Sequence, residues 1–239
     1  MKIPQLGKKP EIKTCHNTTW EDNYSWIHQK NILEVLRDSS KLLPEVRDYL
    51  EKENDYTNFH LKDTKQIQKK IFDEIKGRIK LDDESLPFTD KKYEYWTKTT
   101  KKGNYSIKLR KKIGTNDIEE IWNGDLEKEK LKTEYFGVGD IEISYNDKLI
   151  AYSLDLKGSE YYKIYVKDIK TNKIIGEEIV DTSGSITFSL DDKYIFYSKL
   201  DKFHRPRKIF RHKIGDLVKN DELIFEEKSE AFSVGLSLS

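Results

Sequence analysis

Residues Ser144 to Ser153 read S-Y-N-D-K-L-I-A-Y-S, and residues Ser189 to Ser198 read S-L-D-D-K-Y-I-F-Y-S. The stretches lie 45 positions apart and share one pattern. A serine opens each, Asp-Lys follows three residues later, and Ile-x-Tyr-Ser closes both. The next strand repeats at the same offset, with Lys163-Ile164 answering Lys208-Ile209. A fainter third copy lies upstream, where Asp90-Lys91 leads into Tyr93-Glu94-Tyr95 and Tyr95 takes the place of Tyr152. A repeat of about 40–50 residues made of short strands is the signature of a β-propeller blade.

Strand periodicity runs outward from this repeat in both directions. It begins at Leu86-Pro87, where apolar and polar residues start to alternate. Turns are predicted at Lys101-Lys102-Gly103-Asn104, at Lys157-Gly158-Ser159 and at Thr171-Asn172-Lys173. They separate Tyr93–Thr97 from Tyr105–Arg110, Asp147–Ser153 from Tyr161–Lys167, and that strand from Ile174–Val180. Asp181-Thr182-Ser183-Gly184-Ser185 reads as an inter-strand loop. Ala231 to Ser239 reads as a strand opening a further blade. The span from 87 to 239 holds a little over three units of the 45-residue repeat. Closed propellers take about four to eight blades. The expectation for residues 81–239 is therefore an incomplete β-propeller of about three antiparallel four-stranded blades.

Residues 1–80 read differently. The first 19 are extended and broken by Pro4, Gly7 and Pro10, and Trp20, Tyr24 and Trp26 are expected to pin this arm to a core. Three helices follow. Ile32, Leu33, Val35 and Leu36 give the first its apolar face. Pro44 suits the first turn of the second, where a missing N–H costs nothing, and Val46, Tyr49, Leu50, Glu53 and Tyr56 line one side. Asp63 with Gln66 three residues on has the spacing of a capping box for the third. Ile67, Ile71 and Ile75 form its stripe, and Gly77 suits a left-handed ending. The fold class is α+β by content: an N-terminal helical segment (1–80), then the propeller strands (81–239).

Charge is balanced, with 44 basic against 43 acidic residues. This argues against a nucleic-acid surface or a polybasic membrane anchor. The Lys-Lys pairs at 8–9, 69–70, 101–102 and 111–112 sit among acidic residues and read as solvated faces. Cys15 is the only cysteine, so no internal disulfide and no cysteine-based zinc site is possible. The N-terminus has no signal-peptide run, and no stretch of about 18 apolar residues exists to span a membrane. A soluble cytoplasmic protein is expected.

No catalytic, cofactor or metal site is expected. A nucleophile elbow requires G-x-S-x-G between a strand and a helix, and the nearest approach is Gly235-Leu236-Ser237-Leu238-Ser239. His16, His28, His60, His204 and His212 are dispersed, with no i, i+4 pair. His204 and His212 are read as structural or surface residues. Asp82-Asp83-Glu84 lacks the spacing of a calcium loop and reads as a solvated turn before the first blade.

Several segments, in order, carry a family resemblance. They are Asp22-x-Tyr24-x-Trp26, Tyr49-Leu50-x-x-Glu53-Asn54-x-Tyr56, and Glu74-Ile75-x-Gly77-Arg78-Ile79-Lys80 with Asp83, Ser85 and Pro87. Tyr135-Phe136-Gly137-Val138-Gly139 and Asp201-x-x-x-Arg205-Pro206-x-x-x-Phe210-Arg211-His212 complete the set. Together they resemble the N-terminal portion of the prolyl oligopeptidase family of serine peptidases. The last segment points to the oligopeptidase B (protease II) branch. Asn23 and Ile27 depart from the family's usual Pro and Leu, and about ten extra residues lie between Trp26 and Val46.

The resemblance implies helices that pack on an α/β-hydrolase domain and a propeller that admits only short peptides. It also implies cleavage after Arg or Lys by a Ser, Asp and His in a C-terminal hydrolase portion not among these residues. The expected function is thus the propeller portion of such a peptidase, truncated or split and inactive alone, with self-association through uncovered faces. The alternative is a stand-alone propeller-type module that binds proteins or peptides.

Overall fold

The structure is a computed structural model and describes residues 1–238. The chain divides into two units, Met1–Lys80 and Leu81–Ser239.

In the first unit, strands β1 (Glu11–Cys15) and β2 (Thr18–Asp22) pair as an antiparallel hairpin. His16 and Asn17 form its two-residue turn with φ of 47° and 63°, the left-handed pair that a tight hairpin requires. The extended arm of the sequence reading is thus paired with itself. Trp20 and Tyr24 stay exposed, and it is Trp26 that ties down the arm. Its indole N–H donates to the Gly7 carbonyl at 2.9 Å, and the Lys9 ammonium lies 4.1 Å from its ring centre.

Helices α1 (Ile32–Arg37), α2 (Pro44–Leu61) and α3 (Lys65–Gly77) follow. Pro44 occupies the first turn as predicted, and Val46 is buried. Buried Gln29 links the start of α2 to α1: its carbonyl accepts the Leu43 N–H at 2.7 Å and its amide donates to Asn31 at 2.9 Å. The Asp63–Gln66 capping box does not form. A 3₁₀ turn (Lys62–Thr64) carries α2 almost directly into α3, and Thr64 is the N-cap residue. The Thr64 hydroxyl donates to the Leu61 carbonyl at 2.7 Å. Gly77 remains in the helix, and right-handed Arg78 follows it. The Ile67, Ile71 and Ile75 stripe is present and half-exposed, at 51%, 49% and 59%.

In the second unit, β3 (Asp83–Glu84), β4 (Phe88–Asp90), β5 (Tyr93–Thr99), β6 (Ile107–Lys112) and β7 (Ile118–Asn123) make one antiparallel sheet. Its order is β3-β5-β6-β7, with β4 also on β5. Asp83-Glu84 is therefore a short strand rather than a turn. Helix α4 (Gly124–Leu131), which the strand periodicity did not predict, comes next. Asn123 caps it through the Leu126 N–H, and left-handed Lys132 ends it.

The remaining strands are β8 (Gly137–Ile143), β9 (Leu149–Asp155), β10 (Tyr162–Asp168), β11 (Lys173–Ile174), β12 (Ile179–Phe188), β13 (Tyr194–Leu200), β14 (Pro206–Lys213) and β15 (Glu222–Glu226). They join in the order β15-β14-β13-β12-β10-β9-β8, with β11 on β10. The long strand β12 explains this continuity. Its Ile179 and Thr182 pair with β10, while Ile186 to Phe188 pair with β13. Between them the register breaks at the predicted loop, where Asp181 and Gly184 have φ of 59° and 93°. That segment is the middle of a strand that leaves one module and enters the next. Three modules result: β3–β7, β8 to the first half of β12, and the second half of β12 to β15. The strand expected at 231–239 is not found among the described residues, where 231–238 carry no strand pairing; Ser239 lies outside them.

Two apolar clusters fill the gaps between modules. Tyr95, Ile121, Trp122, Ile150, Tyr152 and Leu154 form the heart of the first. Ala151, Ile164, Val166, Ile186, Ile195 and Tyr197 form that of the second. Strand β9 serves both, because successive side chains point to opposite faces. The repeat pairs Ile150/Ile195 and Tyr152/Tyr197 are at most 2% exposed. Tyr95 does not match Tyr152. Tyr152 looks back toward the first module, whereas Tyr95 looks forward into the same cluster from the opposite side. A slip of one residue in a strand flips the face, and the backward-looking neighbour in β5 is Trp96, whose indole N–H reaches Glu84 at 3.2 Å.

Candidate functional site

The repeated residues build the seams between modules. Each opening serine organises a turn: Ser144 Oγ accepts the Leu149 N–H at 2.9 Å, and Ser189 Oγ accepts the Tyr194 N–H at 3.0 Å. Asp147 and Asp192 follow in the left-handed region, at φ of 63° and 57°, which short polar side chains tolerate. Each then reaches back to the preceding module. Asp147 accepts the Tyr95 hydroxyl at 2.9 Å, and Arg110 donates to the Asp147 carbonyl at 2.5 Å. The Asp192 carboxylate accepts the N–H groups of Tyr145 at 2.5 Å and Asn146 at 2.9 Å. Burial, then the Asp147 carboxylate, pushes the Tyr95 phenol far up.

The closing serines hold the inner strands. Buried Ser153 accepts the Asp140 N–H at 2.8 Å and donates to the Gly184 carbonyl at 2.7 Å. Asp140 in turn accepts the Ile186 N–H at 3.2 Å. Ser198 instead bonds the hydroxyl of Ser183 on β12. Gly139 on β8 and Gly184 on β12 leave room for the Tyr162 ring; a Cβ would lie 2.8 Å and 2.9 Å from it. The outer edge of β8 carries exposed Glu142 beside Asp140.

Helix α4 supplies an ion pair that no motif announced. Lys167 on β10 is 3% exposed, and its Nζ lies 3.0 Å from Oε1 of Glu127, itself 8% exposed. Burial pushes the Glu127 carboxyl up, but the hydrogen bond and charge of Lys167, with help from Lys130 at 3.1 Å, outweigh it and hold the group below its ordinary range. The same helix holds the first module: the Asp125 carboxylate accepts the Asn104 N–H at 3.0 Å.

The residues weighed as catalytic or metal-binding are scattered. His16 lies in the β1–β2 turn and His28 caps a 3₁₀ turn. His60 packs on Tyr56 and Phe59. His204 packs its edge on Tyr161 and faces the Ser159 carbonyl at 3.2 Å. His212 is 2% exposed, with Nδ1 2.6 Å from an Asp221 oxygen whose partner oxygen accepts the Tyr197 hydroxyl at 2.7 Å. This buried set ties β13 and β14 to the residue before β15. Ser237 lies beside Leu236 and Leu238 in a cavity of about 530 Å³ that no histidine lines. Asp82 accepts the Lys101 N–H at 2.8 Å, and Glu84 pairs with Lys98 at 3.0 Å. Among the described residues no three His, Cys, Asp or Glu side chains gather to hold a metal. No helix among them is long and apolar enough to cross a membrane.

A repeat of antiparallel modules joined edge to edge by a shared strand is the build of a propeller. The family model described as the prolyl oligopeptidase N-terminal β-propeller domain matches residues 4–239. The chain belongs to the prolyl oligopeptidase family. Within it, the chain is similar to dipeptidyl aminopeptidase BI of Pseudoxanthomonas mexicana, at 27% identity over 252 residues, covering 99% of this chain and 34% of that protein. It is similar to Protease 2 of Moraxella lacunata, at 27% identity over 245 residues, covering 100% of this chain and 34% of that one. Oligopeptidase B from Leishmania major superposes with a TM-score of 0.83 at 26% identity, over 97% of this chain and 34% of that one. The chain thus spans about a third of the length of the relatives it matches. In this prolyl oligopeptidase-family chain, the S-x-x-D-K turn with its closing Tyr-Ser is the element that joins one propeller module to the next.

Proposed function

We propose that these residues form the propeller portion of an oligopeptidase B-like serine peptidase, its three modules being three four-stranded blades. In this reading the propeller governs which peptides reach the active site. The acyl-transfer chemistry belongs to an α/β-hydrolase portion outside the 239 residues. The intact enzyme would hydrolyse short peptides after Arg or Lys. The observation that carries the reading is the blade seam itself. Asp147 and Asp192 stand at one repeat position and each grips the preceding module, within a chain matched to the family's propeller domain over 4–239. The likeness to Protease 2 and to an oligopeptidase B favours that branch of the family, for which the sequence resemblance implies cleavage after basic residues.

Acyl transfer needs a nucleophile, a base to activate it and an oxyanion site within hydrogen-bonding reach. In the second unit His212 is committed to Asp221, and His204 faces a backbone carbonyl. The test compares the 239-residue chain with the same chain joined to the remaining portion of an oligopeptidase B relative. Arginyl and prolyl amide substrates are offered to both. The chain alone is expected to turn over neither. The longer polypeptide is expected to cleave the arginyl substrate and to be blocked by a serine-directed phosphonate. Phosphonate-sensitive turnover by the chain alone, or a preference for the prolyl substrate, would overturn the proposal.

A further inference from the structure

Among the asparagines of the chain only Asn123 is followed by glycine. In an Asn-Gly pair the asparagine side chain is readily attacked by the next backbone nitrogen, because glycine has no Cβ to shield it. Asn123 and Gly124 stand where β7 ends and α4 begins.

A separate demand fixes each residue there. Asn123 is the N-cap of α4, its side-chain carbonyl accepting the Leu126 N–H at 3.3 Å, and Asn is among the residues that cap best. Gly124 is buried, and a Cβ on it would lie 2.5 Å from the Tyr105 Cβ and 2.8 Å from the Trp122 ring. A side chain at this position would overpack the cluster around Trp122. Capping and packing together put a labile dipeptide at the foot of the helix that carries Asp125 and Glu127.

In the folded chain the attack is blocked at both reacting groups. The Gly124 N–H donates to the Ser106 carbonyl at 3.2 Å. The Asn123 side chain is held at both ends, its amide donating to Glu120 at 3.1 Å and its carbonyl accepting from Leu126. Asn123 has extended backbone, with φ of −142° and ψ of 110°, and the Gly124 nitrogen is turned to Ser106 rather than to the Asn123 side chain. Opening the start of α4 releases these bonds.

We propose that Asn123 is a spontaneous modification site, shielded while α4 is docked and converted to isoaspartate when the helix start opens. On opening, the Gly124 nitrogen bonds to Asn123 Cγ and the Cγ–Nδ2 bond breaks. Nδ2 leaves as ammonia with the proton that Gly124 gives up. Water then opens the cyclic imide at either carbonyl. Opening at Cγ gives aspartate, which still caps a helix. Opening at the main-chain carbonyl gives isoaspartate, which routes the backbone through Cβ and Cγ and adds a methylene between β7 and α4. The added length pulls α4 off its anchors, Asp125 on the Asn104 N–H and Glu127 on Lys167, so the product records and prolongs the opening. The inference is independent of the peptidase reading, since it rests on the β7–α4 junction alone.

The test is to age the 239-residue chain at fixed pH and temperature and follow Asn123 by peptide mass mapping, with isoaspartate separated from aspartate by chromatography. A synthetic peptide of residues 119–128 in the same buffer gives the unshielded rate. Conversion in the chain should be at least about tenfold slower, the ratio that about 1.4 kcal/mol of local opening produces. Glu127→Gln, which takes the carboxylate from Lys167, should quicken it several-fold, and Asp192→Ala at the second seam should leave it unchanged. Asn123→Ser keeps a capping oxygen and has no amide to lose. Its unfolding temperature should hold through the same incubation while that of the parent falls as isoaspartate accumulates. Equal rates in chain and peptide, equal acceleration by the two variants, or an aged parent that melts like the fresh one overturns the proposal.

Discussion

Glu127→Ala tests how α4 is joined to the strands behind it. The substitution leaves the Lys167 ammonium 3% exposed, beside the Tyr152 ring at 5.5 Å and without its carboxylate. Stranding one charge of a buried pair costs about 3–5 kcal/mol. The domain as a whole holds about 5–15 kcal/mol, so the loss is a large share of it. Lys167→Met should cost less, because Glu127 keeps Lys130 at 3.1 Å, and Lys130 is half-exposed and reaches water. Removing both charges with Glu127→Leu/Lys167→Met should come within about 1–2 kcal/mol of the parent, since well-packed apolar replacements of buried pairs are often neutral. The order expected in urea unfolding is therefore double variant, Lys167→Met, Glu127→Ala, from most to least stable. A Glu127→Ala loss under about 1 kcal/mol, the range of surface pairs, would refute the reasoning.

The pair also has a pH signature. The Glu127 carboxyl is held below its ordinary range in the folded chain. Its stabilisation is then fully present above the ordinary carboxylate pKa, about 4.3 in an unfolded chain, and is lost as pH falls through the lower folded value. Glu127→Gln should flatten the stability profile in that acid window and leave its shape near neutrality unchanged.

Asp192→Ala removes the acceptor for two turn N–H groups and should cost about 1–3 kcal/mol; amide exchange at Tyr145 and Asn146 should quicken while that of β5 and β6 stays as in the parent. Gly139→Ala places a methyl against Ser153 and 2.8 Å from the Tyr162 ring, and an overpacking loss of about 1–3 kcal/mol in a thermal melt is expected. The isolated chain should self-associate at micromolar concentration, because half-exposed Ile67, Ile71 and Ile75 and the fully exposed edge strand β15 present apolar surface and unpaired backbone. Ile71→Lys/Ile75→Lys should reduce the mass measured by light scattering, and a parent chain that is monomeric throughout would count against this.

What could be read from the sequence follows from how local each cause is. The repeat at Ser144 and Ser189 was legible because strand alternation has a fixed period of two, and all four of its Ile and Tyr positions are core. Gly103 and Gly158 were legible as turns, and Gly158 has φ of 76° because its turn needs it. The capping box failed because a 3₁₀ turn left no helix start at Asp63, a fact set by the preceding helix rather than by the spacing. Tyr95 was misplaced by one position, and in a strand one position is the whole difference between two faces.

The seams themselves were half visible. Asp147 and Asp192 stand in the repeat, yet their partners lie about one module earlier in the chain and in chemically different groups, a phenol in one case and backbone N–H groups in the other. A pattern that records like residues at like positions cannot display such pairings. Helix α4 escaped for a related reason. Its eight residues, G-D-L-E-K-E-K-L, are mostly charged, so they offer no apolar stripe to read. Glu127 is buried only because Lys167, 40 residues later, comes up beneath it. Strand periodicity thus reports which faces are apolar, while hydrogen bonds across the seams fix how one module meets the next. A phenol at the first seam and a turn backbone at the second are two partners for one repeat position.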